Sequence, residues 1–174
     1  ENPVNIQKVP LDQAEGIVCC GPADPLADVD VNRPEFLYAK QKGLKLLCAN
    51  PDIIVDRGEV REWCAGALAA LYTEMGGESL YFGKPHPPIY DLARRRLTAL
   101  DGRVIDDARI LAVGDGIGTD IKGGMGEGFD TLFITGGLAA AEFGPDPAKP
   151  DPALLRPWLE ARQMSPTYAI GHLK

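Results

Sequence analysis

Two carboxylates in residues 113–121, a run that reads Val-Gly-Asp-Gly-Ile-Gly-Thr-Asp-Ile, have the types and spacing to bind a cation. The apolar residues 110–113 predict a buried strand, which places Asp115 at its tip and Asp120 at the start of the next helix. Carboxylate oxygens are the ligands that a hard cation such as Mg²⁺ needs. The structural alternative is that Asp120 caps the helix while Asp115 makes a turn with Gly116. The pattern alone supports both interpretations equally.

A lysine follows a second predicted strand, residues 79–83, in the sequence Gly83-Lys84-Pro85. An ammonium at the carboxyl end of a strand, beside a strand that ends in carboxylates, suits an anion such as phosphate. The alternative is an ordinary solvated surface lysine. A nucleotide-binding P-loop is excluded, because proline follows Lys84 where that motif requires serine or threonine.

A third acidic group, Asp28-Val29-Asp30, imitates the carboxylate pair of a nucleophile and a metal ligand. It follows Pro25-Leu26-Ala27, which does not have the pattern of a buried strand, and it precedes a predicted helix. We therefore interpret Asp28 and Asp30 as part of a solvated loop and a helix cap.

The elements that must position these groups alternate along the chain between short apolar runs and segments of helical period. Such alternation is typical of an α/β fold with a largely parallel sheet, in which ligands bind at the carboxyl ends of the strands. The predicted strands are residues 17–20, 44–48, 79–83, 110–113 and 131–135, and the predicted helices are about 34–42, 64–75, 89–100, 119–127 and 155–162.

The composition excludes several classes of protein. The 174 residues are 45% hydrophobic and 25% charged, as in ordinary globular chains, and the net charge of −7 does not suit nucleic acid or an anionic membrane surface. No apolar run approaches the length of a membrane span, so we expect a soluble, cytoplasmic protein. The four cysteines are interpreted as buried core thiols in a reducing compartment: Cys19, Cys20, Cys48 and Cys64.

Four segments together resemble one family. Gly83-Lys84-Pro85, with Asp115 lying 31 positions after Lys84, resembles motifs III and IV of the haloacid dehalogenase-like (HAD) hydrolases. Residues 47–52 (Leu-Cys-Ala-Asn-Pro-Asp) and 64–68 (Cys-Ala-Gly-Ala-Leu) resemble the TNPD and GAGAL stretches of class IIA, the NagD-like sugar phosphatases and phosphoglycolate or 4-nitrophenyl phosphatases. The order and the spacing match over nearly the whole chain.

The resemblance implies a fold and an activity. It implies a HAD-like, Rossmann-type core half with a mostly parallel sheet in residues 78–174, preceded in residues 1–77 by part of an α/β class IIA cap domain. It also implies a Mg²⁺-dependent phosphomonoester hydrolase, acting through an aspartyl-phosphate on a small phosphorylated metabolite such as a sugar phosphate.

Five residues receive roles by the same resemblance. Asp115 would be a ligand of Mg²⁺, and Asp120 would be its supporting carboxylate in the metal site. Lys84 would be catalytic, pairing with the phosphate and with the nucleophile. Asn50 and Asp52, on the cap, would face the leaving group of the substrate.

The departures from the family pattern are as informative as the matches. The sequence has neither the strand ending in DxDG, which carries the nucleophile, nor the motif II threonine or serine, and Ala49 replaces the threonine of TNPD. The chain therefore resembles the C-terminal portion of a class IIA protein, and we expect it to be inactive alone. We expect the strand at 110–113 to have an unpaired edge, and the chain to pair with an N-terminal half or with another copy of itself. The alternatives are a non-catalytic phosphate- or cation-binding module and a structural fragment.

Overall fold

The chain divides into two compact units in the computed structural model, which describes residues 5–173. The first unit ends at Phe82 and the second begins at Gly83. The boundary predicted after residue 77 lies before the strand Glu78–Tyr81, whereas the division in the structure lies after it. This strand belongs to the first unit because it pairs with a strand there.

The first unit is built on a parallel three-stranded sheet in the order β1-β2-β5, with a separate antiparallel hairpin formed by β3 and β4. Helix α2 packs on the sheet and is buried along almost its whole length, since alanine and leucine occupy most of its positions. The elements are β1 Ile17–Cys19, α1 Arg33–Gln41, β2 Lys45–Cys48, β3 Ile54–Arg57, β4 Val60–Trp63, α2 Ala65–Glu74 and β5 Glu78–Tyr81.

The second unit contains another parallel sheet, in the order β6-β7-β8. Among the described residues, these three strands are the whole of that sheet. A π-helical segment, Ile117–Ile121, follows β6 and continues directly into α4. The elements are α3 Pro87–Asp101, β6 Leu111–Gly114, α4 Lys122–Gly126, β7 Asp130–Ile134, α5 Pro152–Ala161 and β8 Tyr168–Ile170.

The helices α4 and α5 both pack on one face of this second sheet. Gly124 of α4 lies so close to the Ala112 and Thr131 side chains that a Cβ atom there would come within 2.6 Å and 2.8 Å of them. On the same face, the buried Phe133 ring stacks on Trp158 of α5, with ring centroids 5.9 Å apart. The apolar core of this unit therefore lies on one side of the sheet only.

The opposite face of the sheet is largely uncovered. Val113 is paired in register with Leu132, and Leu132 with Tyr168, so these side chains share that face. Leu111 is 45% exposed and Val113 is 43% exposed, although residues 110–113 were predicted to form a buried strand. The prediction of a strand is confirmed, and the prediction of its burial is wrong, because two of its apolar side chains keep more than two fifths of their surface exposed.

β6 also has an open edge. Within residues 5–173 it pairs with β7 alone, so its other edge offers backbone N–H and C=O groups to a further strand. Helix α3 is also poorly covered, since it contains no fully buried residue and Leu100 is 86% exposed. The unpaired edge expected from the sequence is confirmed for the described residues.

The structure tests two further expectations, the burial of the cysteines and the absence of a membrane-spanning helix. All four cysteines are free, with Cys19 and Cys48 buried and Cys64 half-buried, whereas Cys20 is exposed and was wrongly assigned to the core. Burial raises the pKa of Cys48 to about 11, so this thiol stays protonated at neutral pH. Over residues 5–173, no helix is both long and apolar enough to cross a lipid bilayer.

Candidate active site

Asp115 lies immediately after the last residue of β6, where the loop that follows β7 fixes its carboxylate. The Leu138 N–H donates a hydrogen bond of 3.1 Å to Asp115 Oδ2. Gly137 packs directly on the same carboxylate, and a Cβ atom there would lie 2.6 Å from Asp115 Cγ. Because the loop holds one carboxylate oxygen, the side chain is oriented at the carboxyl end of the sheet.

Asp120 lies in the π-helical segment and turns back toward the tip of β6. Its Oδ2 accepts a 3.1 Å hydrogen bond from the Gly116 N–H, and its side chain is only 13% exposed. A Cβ atom on Gly114 would overlap the Asp120 side chain, so glycine is required for this approach. Asp120 thus packs on Gly114 and accepts a hydrogen bond from Gly116, rather than capping the helix that begins after it.

Lys84 contacts Asp120 directly. The Lys84 ammonium donates to Asp120 Oδ1 in a short ion pair, while the lysine side chain remains 44% exposed. A turn closed by the His86 N–H on the Gly83 carbonyl, at 3.0 Å, leads from this lysine into α3. Lys84 is therefore held against a nearly buried carboxylate, which a freely solvated surface lysine would not be.

Two carboxylates are the oxygen donors that the sequence predicts for a small, hard cation. Across residues 5–173, no group of three or more His, Cys, Asp or Glu side chains is arranged to hold a metal ion. Mg²⁺ is commonly bound by only one or two carboxylates, with waters and substrate phosphate oxygens completing its shell. Asp115 and Asp120 would supply those protein ligands, and Lys84 would meet the anion that the cation also binds.

Asn50 and Asp52 lie in the first unit, in the loop that follows β2. Asn50 Oδ1 accepts a 3.3 Å hydrogen bond from the Asp52 N–H, and the Asp52 carbonyl accepts one of 3.0 Å from the Gly66 N–H. A Cβ atom on Gly66 would overlap the Pro51 carbonyl oxygen, so this loop fits closely on the start of α2. The loop is thus closely packed within its unit, and its contact with a leaving group stays a prediction.

The acidic group at Asp28 and Asp30 has the structural role expected of it. Asp28 Oδ1 accepts a 2.9 Å hydrogen bond from the Asp30 N–H at the start of a 3₁₀ turn, Val29–Asn32. The Asp30 carboxylate pairs with Arg33 at 3.0 Å. The interpretation of this segment as a loop and a cap is confirmed.

Arg94, on α3, is half-buried. Its guanidinium pairs with Asp107 at 3.0 Å and with Glu127 at 2.6 Å, and lies 4.7 Å from the centre of the Phe129 ring. These hydrogen bonds hold the pKa of the Asp107 carboxyl below its usual range. Both carboxylate partners of Arg94 lie outside α3, so the arginine links this helix to other parts of the unit.

The sequence did not reveal the role of three glycines that allow close packing around the site: Gly114, Gly123 and Gly137. Each is close to a side chain from elsewhere in the unit, which periodicity does not reveal. The Gly123-Gly124 pair inside a short helix was the available signal, since glycine in a helix commonly marks a close approach.

Comparison with known proteins agrees with this arrangement. Residues 81–155 match the HAD-hydrolase-like family. An acid sugar phosphatase from Staphylococcus haemolyticus is 30% identical over 105 residues, which are 60% of this chain and 38% of that protein. A dihydroxyacetone phosphatase from Corynebacterium glutamicum is 29% identical over 98 residues, which are 56% of this chain and 34% of that protein. The matches thus span little more than a third of these relatives.

Solved structures extend the similarity to nearly the whole chain. A haloacid dehalogenase-like hydrolase from Brucella suis is 36% identical, with a TM-score of 0.79, covering 99% of this chain and 60% of that one. A p-nitrophenyl phosphatase from Archaeoglobus fulgidus shares the fold at 23% identity and a TM-score of 0.62, over 93% of this chain and 55% of its own. The chain is thus similar to the HAD-like hydrolases in sequence and in fold, which confirms the resemblance of its motifs.

Proposed function

We propose that the second unit supplies the metal- and phosphate-binding half of a phosphomonoesterase active site. The observation that carries this proposal is the contact of Lys84 with Asp120, beside Asp115 at the tip of β6. It brings an ammonium onto one of two carboxylates at the carboxyl edge of a parallel sheet, the edge at which α/β proteins bind their ligands. The phosphatases among the relatives support the same reaction.

Each of the three side chains has a distinct task in phosphoryl transfer. Lys84 pairs with an oxygen of the transferring phosphate, where negative charge must be stabilised. Asp120 positions the Lys84 ammonium and the backbone of Gly116, while the Leu138 N–H keeps Asp115 oriented toward the metal site. Mg²⁺, held by Asp115 and Asp120, would neutralise phosphate charge and orient the phosphate for attack.

The nucleophile of this reaction is a carboxylate outside these 174 residues, since no DxDG motif occurs in the sequence. The open edge of β6 is where we place it, because a strand added parallel to β6 would end beside Asp115. In the reaction this carboxylate attacks phosphorus and forms an aspartyl-phosphate, while the P–O bond to the ester oxygen breaks. The departing oxygen takes a proton from a general acid, the role of the second aspartate of DxDG, which also lies outside these residues. Water then attacks the phosphorus of that acyl phosphate, which releases inorganic phosphate and regenerates the carboxylate.

The substrate that we infer is a small phosphorylated metabolite, such as a sugar phosphate. The names of the two sequence relatives, an acid sugar phosphatase and a dihydroxyacetone phosphatase, favour this class. Asn50 and Asp52 would contact the leaving group from the first unit, as their motif implies.

A non-catalytic module is the second candidate, because the sequence contains candidate ligands for Mg²⁺ and phosphate but no nucleophile motif. It would bind a cation or a phosphate at the same strand ends without turnover. The two candidates differ in whether a longer protein containing this chain hydrolyses a phosphate ester.

Replacing Asp115 by asparagine is expected to abolish Mg²⁺ binding and leave the fold intact. The amide oxygen of asparagine still accepts the Leu138 N–H, whereas the negative charge that attracts the cation is lost. Calorimetric titration of Mg²⁺ into the wild type and the variant, in the protein with its nucleophile-bearing segment, measures this effect. Asp28→Asn, the same chemical change at a helix cap, should titrate like the wild type. Equal affinity in Asp115→Asn and wild type would remove Asp115 from the metal site.

A further inference from the structure

Tyr90 of α3 lies directly on Gly123 of α4. A Cβ atom on Gly123 would overlap the Tyr90 hydroxyl and would lie 2.7 Å from Tyr90 Cζ and 3.0 Å from Pro85 Cα. Packed Cβ atoms do not approach other atoms so closely, and Gly123 is buried, so a larger residue would force its neighbours to move. Only glycine permits this contact between the two helices.

The same contact links the two ends of the ion pair between Lys84 and Asp120. Pro85 directly follows Lys84, and Gly123 lies about one helical turn beyond Asp120. The Tyr90 ring packs edge-on against Phe129, with centroids 5.9 Å apart, so it has little room to move aside. A change at Gly123 is therefore transmitted to the backbone that carries Lys84.

The volume of Tyr90, rather than its hydrogen bonding, explains its presence here. Its hydroxyl is buried and has no hydrogen-bond partner among residues 5–173. A buried hydroxyl without a partner is unfavourable, so the hydroxyl does not hold the contact together. Burial and the charges of Asp120 and Glu127 raise the pKa of Tyr90, which keeps it neutral and leaves its ring as a rigid spacer.

We propose that Tyr90 and Gly123 are a size-matched pair of positioning residues, which set the separation of the Lys84 loop from α4 and so keep the Lys84 ammonium on Asp120. Only the expected effect of this pair on turnover rests on the proposed function. The contact itself is a property of the folded second unit.

The reaction rate of the Lys84 amine with an acetylating reagent reports its position without any need for catalysis. Mass spectrometry of the 174-residue chain gives this rate for each lysine, and the exposed Lys149 serves as the internal reference. Gly123→Ala is expected to raise the Lys84 rate several-fold relative to Lys149, because the ion pair with Asp120 is lost. Gly126→Ala is the matched control in the same helix, since a Cβ atom there meets nothing within 4 Å.

A compensating change separates this role from a general loss of stability. In the double variant Gly123→Ala with Tyr90→Leu, the smaller side chain makes room for the new methyl group, and the Lys84 rate is expected to return toward wild type. Tyr90→Phe should leave the rate unchanged. If Gly123→Ala does not fold, Tyr90→Leu alone opens a gap over Gly123 and is expected to raise the Lys84 rate.

Two results would overturn the proposal: a folded Gly123→Ala variant whose Lys84 rate equals that of Gly126→Ala, or a double variant no closer to wild type than the single one.

Turnover on an aryl phosphate, measured in the longer protein, tests the consequence separately. We expect kcat to fall in Gly123→Ala and to recover in the double variant. A changed Lys84 rate with unchanged kcat would leave the positioning role intact and contradict the catalytic role of Lys84.

Discussion

Replacing Lys84 by alanine is expected to lower aryl-phosphate turnover by about 10²–10³-fold, the usual effect of removing one donor to developing charge. The ammonium is held on Asp120, a carboxylate that is only 13% exposed. Without it, the transferring phosphate loses a charge-assisted contact, and the carboxylate of Asp120 adds repulsion at the same place. Steady-state kinetics of the longer protein, in which the nucleophile strand is present, measures the change.

Three variants serve as controls for this result. Lys149→Ala removes an exposed lysine of the same unit and should not change turnover. Asp28→Ala should be nearly silent, because that carboxylate caps a 3₁₀ turn. Lys84→Arg keeps the charge and should retain more activity than Lys84→Ala. If Lys84→Ala had the wild-type rate, Lys84 would be an ordinary surface lysine. A large loss of turnover in Asp28→Ala would contradict the assignment of the nucleophile to a residue outside this chain.

Replacing Val113 by lysine is expected to have opposite effects in the isolated chain and in the longer protein. Alone, residues 1–174 should associate with one another through the open edge and the uncovered face of the β6 sheet. A lysine on that face should reduce this association, since charge on an exposed strand opposes pairing. In the longer protein, the same face should be covered, and the buried charge should destabilise the fold.

Light scattering of the isolated chain and thermal unfolding of the longer protein measure the two effects. Leu154→Lys, on α5, is the matched control, because Leu154 is 46% exposed and Val113 is 43% exposed. It should change neither measurement. A monomeric, cooperatively folding wild-type chain would contradict the proposal that a further strand completes this sheet.

The elements that could be predicted from the sequence are those whose side chains show a clear pattern. Continuous apolar runs located β1, β2, β6 and β7, and helical periodicity located all of the helices longer than one turn. The hairpin of β3 and β4 was missed because its strands, Ile-Val-Asp-Arg and Val-Arg-Glu-Trp, are mostly exposed and do not alternate. β8, with three exposed residues, gave no signal either.

The site residues were predictable where the chemistry depends on the ends of strands. Asp115 and Asp120 were predicted from the end of β6 and the segment that follows it. Lys84 was predicted beside them on a neighbouring strand, but β5 and β6 belong to different sheets, and Lys84 reaches Asp120 from the segment that follows β5. The close packing that positions these side chains was not predictable, because Gly123 and Gly137 contact residues that are distant in sequence. Nor was the exposure of β6, since burial depends on what lies over a strand rather than on its own residues.

The hydrolysis of p-nitrophenyl phosphate by two proteins, compared side by side, tests the central claim most directly. One is the chain of residues 1–174, and the other is the longer protein that adds the segment preceding Glu1. We expect no hydrolysis by the first, and Mg²⁺-dependent turnover by the second that is lost in Asp115→Asn. Hydrolysis by residues 1–174, or a folded longer protein without activity, would contradict the assignment of this chain as the metal- and phosphate-binding half of a phosphatase.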